Sequence, residues 1–140
     1  MTWILPSIRD AGRMRGTLLF DGRCGFCTRS RDLLARVDRH HRVETVPYQH
    51  PGTPDRYGLT EQQLARAVWW IDEAGTPRAS AAEAANYALS AALGTTLPLR
   101  FYRLPGIRWL QEALYRWVSN NRQRLPGTTP WCEREPGTCG

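Results

Sequence analysis

Residues Thr17–Cys27 read TLLFDGRCGFC. Thr17, Leu18, Leu19 and Phe20 make an uncharged run of branched and aromatic side chains, which predicts a short buried strand. Asp21-Gly22 breaks it. From Gly25 onward the pattern turns helical: Phe26, Ser30, Leu33, Leu34 and Val37 share one stripe, and Arg29, Arg31, Arg36 and Arg39 fall mostly off it. The helix is expected to end near His40. Cys24 and Cys27 are thus delivered to the first turn of a helix by the end of a strand.

The stretches that follow continue the pattern. Arg42–Val46 is β-branched and weakly alternating, a second strand pairing in parallel with the first through the helical crossover and ended by Pro47. His50–Gly58 (HPGTPDRYG) reads as a Pro/Gly-rich loop. Thr60 with Gln63 is a capping-box pattern opening a short helix to about Arg66. Ala67–Ile71 (AVWWI) suits a central or partly covered strand, Asp72–Gly75 a turn, and Thr76–Ala79 an edge strand restricted by Pro77. Ser80 is placed to cap a helix, AAEAANYALSAAL, that stops at Gly94. Leu97–Leu104 is apolar and basic by turns. Ile107 to about Asn121 is amphipathic, with Ile107, Leu110, Leu114, Trp117 and Val118 at helical spacing. The order predicts a small α/β sandwich, helices packed on a mixed four-stranded sheet. That order is similar to thioredoxin-like proteins, whose C-x-x-C also ends the first strand.

The chain of 140 residues, 41% hydrophobic, fits one domain with its own core. The expected organisation is an N-terminal leader (1–16) docking Trp3, Ile4 and Leu5, then a domain over 17–125, then a flexible Cys-containing tail (126–140). Within the domain, 17–94 is the sandwich and 95–125 a helical extension. No apolar run reaches membrane-spanning length. Basic residues follow the short N-terminal apolar patch and no small-residue cleavage site is seen. The expectation is a non-secreted, cytoplasmic protein in a reducing compartment. The net charge of +6 comes from arginine alone. Without lysine, a P-loop ATPase, a Schiff-base enzyme and a lysine nucleophile are excluded.

In a non-secreted chain, four cysteines point to metal or redox chemistry rather than a disulfide framework. As a redox pair, Cys24 sits where unsatisfied backbone N–H groups and the helix dipole favour its thiolate, with Arg23 adding charge. Cys27 lies one turn further in, on the side of Ser30 and Leu34. Cys24 is then the attacking sulfur and Cys27 the one that resolves the mixed disulfide, without a bound cofactor. Gly25 leaves the backbone accessible, and Phe26 is an apolar neighbour. Asp21 has two roles open: accepting N–H bonds of the turn, or facing Cys27 as proton acceptor.

The segment LLFDGRCGFC, with its D-x-x-C-x-x-C pattern, and LPGIRWLQEALYRWVSNNRQRL resemble the DCC family of predicted thiol-disulfide oxidoreductases, named for an aspartate and two cysteines. Those positions are Asp21, Cys24 and Cys27 here. Tyr48-Gln49, Asp72–Gly75 and Leu104-Pro105-Gly106 extend the resemblance over most of residues 17–125. It implies exchange with a protein or low-molecular-weight disulfide or thiol. Ordinary thioredoxin-like enzymes carry a cis-proline before the third strand; here Leu64, Ala65 and Arg66 stand there.

Alternatives attach to other residues. Cys132 and Cys139 bring the thiols to four, enough for a zinc site, or form a second disulfide or a relay pair; a loose, functionally minor tail is the simpler expectation. His40 and His41 suit a helix end, and His50 a solvent-exposed loop. The arginines are spread out, so no specific nucleic-acid partner is expected. Trp109 and Trp117 read as core or subunit contacts, in a monomer or weak homodimer. A non-enzymatic scaffold is the remaining rival.

Overall fold

The computed structural model describes residues 14–139; the docking expected of Trp3, Ile4 and Leu5 lies outside them. Strand β1 (Gly16–Phe20) leads into helix α1 (Gly25–Val37) and strand β2 (Val43–Pro47). Two short helices, α2 (Thr53–Tyr57) and α3 (Glu61–Arg66), precede strands β3 (Trp69–Asp72) and β4 (Pro77–Ser80). Helices α4 (Ala81–Leu93), α5 (Leu97–Tyr102) and α6 (Ile107–Asn121) follow, and the tail holds α7 (Trp131–Arg134) and a 3-10 turn (Pro136–Thr138).

The sheet runs β2-β1-β3-β4, with β1 parallel to β2 and antiparallel to β3, and β4 antiparallel to β3. The expected mixed four-stranded α/β sandwich with a C-terminal helical extension is present. Successive side chains of β1 point to opposite faces. Leu18 joins Trp70, Ala79 and the small residues Ala84, Ala88 and Ala91 of α4, with Leu34 of α1 against them. Leu19 joins Ile71, Leu59 and Leu64 on the other face, under α2 and α3. Alanine at the buried positions of α4 lets that helix lie close on the sheet.

Several local expectations shift. Helix α1 ends at Val37 because the buried Asp38 turns the chain, its carboxylate accepting from the N–H groups of Arg42 and Val43 at 2.9 and 3.0 Å. His40 and His41 therefore lie beyond the helix. The HPGTPDRYG stretch contains α2, with Pro54 in its first turn and the left-handed Gly52 and Gly58 bracketing it. Ser80 stands at the N-cap of α4 without a side-chain capping bond, whereas the Thr60–Gln63 box forms in full. Leu97–Tyr102 is helical, with Leu99 and Tyr102 buried.

Helix α6 stands off the sandwich on polar tethers. Gln111 accepts from Asn86 at 2.8 Å, Glu112 from the Tyr102 hydroxyl, and the Tyr115 hydroxyl from the Val68 N–H at 3.0 Å. No α6 residue is buried, and Trp109 and Trp117 are 71% and 56% exposed, so neither tryptophan is core. Between α6, α1 and α4 lies an apolar cavity of about 740 Å³, onto which the helical stripe of α1 opens through Phe26, Leu33 and Val37. Among the described residues no helix is long and apolar enough to cross a membrane.

Candidate active site

The site is built at the hand-over from β1 to α1. The Cys24 N–H donates to the Asp21 carbonyl at 3.2 Å, closing a turn that leaves Cys24 extended (φ −99°, ψ 119°) at the N-cap of α1. From there the Cys24 sulfur accepts the Cys27 N–H at 3.2 Å, one of the donors that the first turn leaves unpartnered. Thr28, wholly buried, locks the turn by donating its hydroxyl to the Cys24 carbonyl at 3.0 Å.

The two sulfurs are electrostatically unlike. The Cys24 thiol is lowered to about 6, first by the hydrogen bond from the Cys27 thiol, then by the Cys27 N–H and the Arg122 cation, against burial and Asp21. Cys27 is raised, first by that same bond to Cys24 and then by burial at the cavity wall. Neither is in a disulfide.

Asp21 is fully engaged. One carboxylate oxygen accepts from the Arg23 N–H at 3.0 Å and from the Gln49 amide at 2.8 Å; the other pairs with Arg122 at 3.0 Å. Gln49 turns its own oxygen to the Gly22 N–H at 3.0 Å, so a side chain just past β2 holds both halves of the turn. Arg122, at the C-cap of α6, also reaches the Ala65 carbonyl at 3.3 Å and the Cys27 sulfur at 3.7 Å. The cation at the pair is therefore Arg122, 95 positions from Cys27, and not the adjacent Arg23. Ala65 stands just before β3, where thioredoxin-like enzymes carry the proline, and its carbonyl holds the guanidinium together with Asp21. Sequence reasoning missed Arg122 altogether; its only trace was a place in the C-terminal stretch that carried the family resemblance.

The tail, expected to be loose, crosses the start of α1. Thr128 N–H donates to the Gly25 carbonyl at 3.2 Å, Trp131 N–H to the Thr28 hydroxyl at 3.0 Å, and Cys132 N–H to the Gly22 carbonyl at 2.8 Å. Backbone meets backbone here. A Cβ on Gly25 would lie 2.5 Å from the Thr128 oxygen, and one on Gly127 2.5 Å from the Gly25 carbon and the Phe26 nitrogen. Trp131 packs edge-on to Phe20 and beneath Arg31. Cys132 and Cys139 form a disulfide, which leaves a zinc site of four cysteines with only two of its thiolates. Among the described residues no group of three or more metal-binding side chains converges. His50 is exposed, as expected of a loop histidine, and donates its Nδ1–H to the Thr138 carbonyl of the tail at 2.9 Å.

No curated protein and no solved structure is significantly similar to the chain. The model of one family, DCC1-like thiol-disulfide oxidoreductase, matches residues 18–128. That span runs from β1 to the tail residue lying against Gly25, and so takes in the cysteine pair, Asp21, Gln49 and Arg122. The chain belongs to the DCC1-like thiol-disulfide oxidoreductase family, with Cys24 and Cys27 as its cysteine pair.

Proposed function

We propose that Cys24 is the attacking thiolate and Cys27 the resolving thiol, acting on a protein or low-molecular-weight disulfide. The observation that carries this is the asymmetry of the pair: Cys24 at the N-cap, its sulfur receiving the Cys27 N–H, and Cys27 at the cavity wall beside Arg122. The Cys24 thiolate attacks one substrate sulfur and the other leaves as a thiolate that takes a proton. Once Cys24 is part of a mixed disulfide, it no longer offers Cys27 a charged acceptor, and the largest influence holding the Cys27 proton is gone. Arg122, 3.7 Å away, then stabilises the Cys27 thiolate as it forms. Attack on the Cys24 sulfur releases the second substrate thiol. Two electrons have passed from dithiol to substrate.

Asp21 acts as a positioning residue in this scheme. Its oxygens fix the turn and hold the guanidinium, and it works through Arg122 rather than by touching the substrate. The same reading takes residues 17–125 as the working unit of a cytoplasmic monomer or weak homodimer that uses no bound cofactor and no specific nucleic acid. The test is capture of oxidised glutathione by the reduced protein, followed by mass spectrometry. In a Cys132→Ser/Cys139→Ser background, Cys27→Ser is expected to accumulate one glutathione on Cys24, the intact pair to run on to the Cys24–Cys27 disulfide, and Cys24→Ser to be inert. Turnover in Cys24→Ser would overturn the roles.

A further inference from the structure

We propose that the Cys132–Cys139 disulfide is an internal exchange partner of the Cys24–Cys27 dithiol, so that electrons pass between two cysteine pairs of one chain. The proposal rests on the reading of Cys24 as the attacking sulfur.

The placement of the second pair carries it. Cys132 is hydrogen-bonded through its N–H to the Gly22 carbonyl at 2.8 Å, and its sulfur sits over Gly22 so closely that a Cβ there would be 2.7 Å from it. Gly22 is in the turn that presents Cys24, two residues on. The Cys132 sulfur also lies 3.9 Å from the Gln49 oxygen that holds this turn. The other end of the disulfide is tied down as well. Thr138, next to Cys139, accepts from the Trp131 indole at 2.9 Å and presents its carbonyl to His50 at 2.9 Å. Trp131 itself is clamped by Arg31 and by Phe20. Both tail cysteines are half-buried rather than enclosed. They also lie beyond the family match, which ends at residue 128.

The step balances within the chain. The Cys24 thiolate attacks the Cys132 sulfur; the Cys132–Cys139 bond breaks, a Cys24–Cys132 bond forms, and Cys139 leaves as thiolate. Cys27 then attacks Cys24, the Cys24–Cys132 bond breaks, and the Cys24–Cys27 disulfide forms. The Cys27 proton passes to one tail thiolate, so one thiol and one thiolate stand at the end as at the start. The first pair is oxidised by two electrons and the second reduced by two. Because both pairs are on one chain, the rate is independent of protein concentration.

The chain's arginines make the test direct. Cleavage after Arg23, Arg29, Arg124 and Arg134 places Cys24 in peptide 24–29, Cys132 in 125–134 and Cys139 in 135–140. The full chain carrying Cys27→Ser is isolated without reductant, alkylated at low pH, cut and weighed. Peptide 24–29 joined to 125–134, with alkylated Cys139 in 135–140, is the expected product, at a yield that does not change over a tenfold range of protein concentration. Peptide 24–29 alkylated at Cys24, with 125–134 still joined to 135–140, overturns the proposal if the same variant captures glutathione on Cys24. Glutathione capture by Cys27→Ser/Cys132→Ser/Cys139→Ser separates the two readings. If Cys24 captures glutathione there and the internal link never forms in Cys27→Ser, only the relay falls; if capture fails there too, the reading of Cys24 falls and takes the relay with it.

Discussion

Removing the Cys27 thiol while keeping its backbone N–H isolates the strongest influence on Cys24. In a Cys132→Ser/Cys139→Ser background, Cys27→Ala and Cys27→Ser each leave Cys24 as the sole thiol. Serine still donates a hydrogen bond to the Cys24 sulfur and alanine does not. A hydrogen bond to a charged acceptor contributes about 1.5–3 kcal/mol, or about 1–2 pKa units; Cys24 is partly exposed, so the lower half of that range applies. The midpoint is therefore expected to stay near 6 in Cys27→Ser, and to rise to about 7–8 in Cys27→Ala. Less thiolate at pH 6 is partly offset by greater reactivity of each thiolate, which grows about 3- to 10-fold over such a rise. The net expectation is reaction about two- to eightfold slower in Cys27→Ala at pH 6 and about 3- to 10-fold faster at pH 10, so that the profiles cross. The assay is the rate of reaction with a neutral aromatic disulfide, followed by release of its coloured thione from pH 4 to 10. The sign is fixed by the direction of the shift: a lowered thiol stays reactive as pH falls until about 6, and is lost below it. Identical midpoints in the two variants, or a Cys27→Ser midpoint near the ordinary 9.0, would refute the hydrogen-bond account.

Arg122→Gln is expected to slow the second step more than the first, because Arg122 is the smallest of the three influences that lower Cys24. A cation at this range shifts an acidic group by about one unit or more, and with Asp21 sharing the guanidinium the low end, offset in part by the greater reactivity of the less acidic thiolate, gives a mixed disulfide about three- to fourfold longer-lived by rapid-quench mass spectrometry. Arg122→Lys should restore part of that rate, which a purely structural role would not predict. Gly127→Ala places a methyl 2.5 Å from the Gly25 carbon and Phe26 nitrogen; overpacking of about 1–3 kcal/mol should weaken tail docking. Hydrogen exchange at the Thr128 and Cys132 amides is expected to speed up by about 5- to 150-fold, and unchanged protection would count against the docked tail. Thr28→Val removes both the hydroxyl donated to the Cys24 carbonyl and the acceptor of the Trp131 N–H. With that N–H orphaned, the cost is about 1–3 kcal/mol, read as a lower denaturant midpoint.

What the sequence disclosed is what chain neighbours decide. The run TLLF announces a strand whose Leu18 and Leu19 part to opposite faces, and Thr60 with Gln63 announces a helix start that forms as read. The acidity of Cys24 belongs largely to this class, because its strongest donors, the thiol and N–H of Cys27, are three residues away. Contacts spanning many tens of residues leave no such trace. Arg122 reaches Cys27 across 95 residues, and Trp131 reaches Thr28 across 103. In a chain of scattered arginines nothing local marks out the one that closes on the site, and Pro and Gly around Thr128 suggest a loose end as readily as a close backbone contact. The two sulfurs thus draw their chemistry from different distances. That of Cys24 is written into C-G-F-C at a helix start. That of Cys27 also needs α6 to return to the sheet and bring a cation, so damage far along the chain should impair release of the captured substrate before it impairs capture.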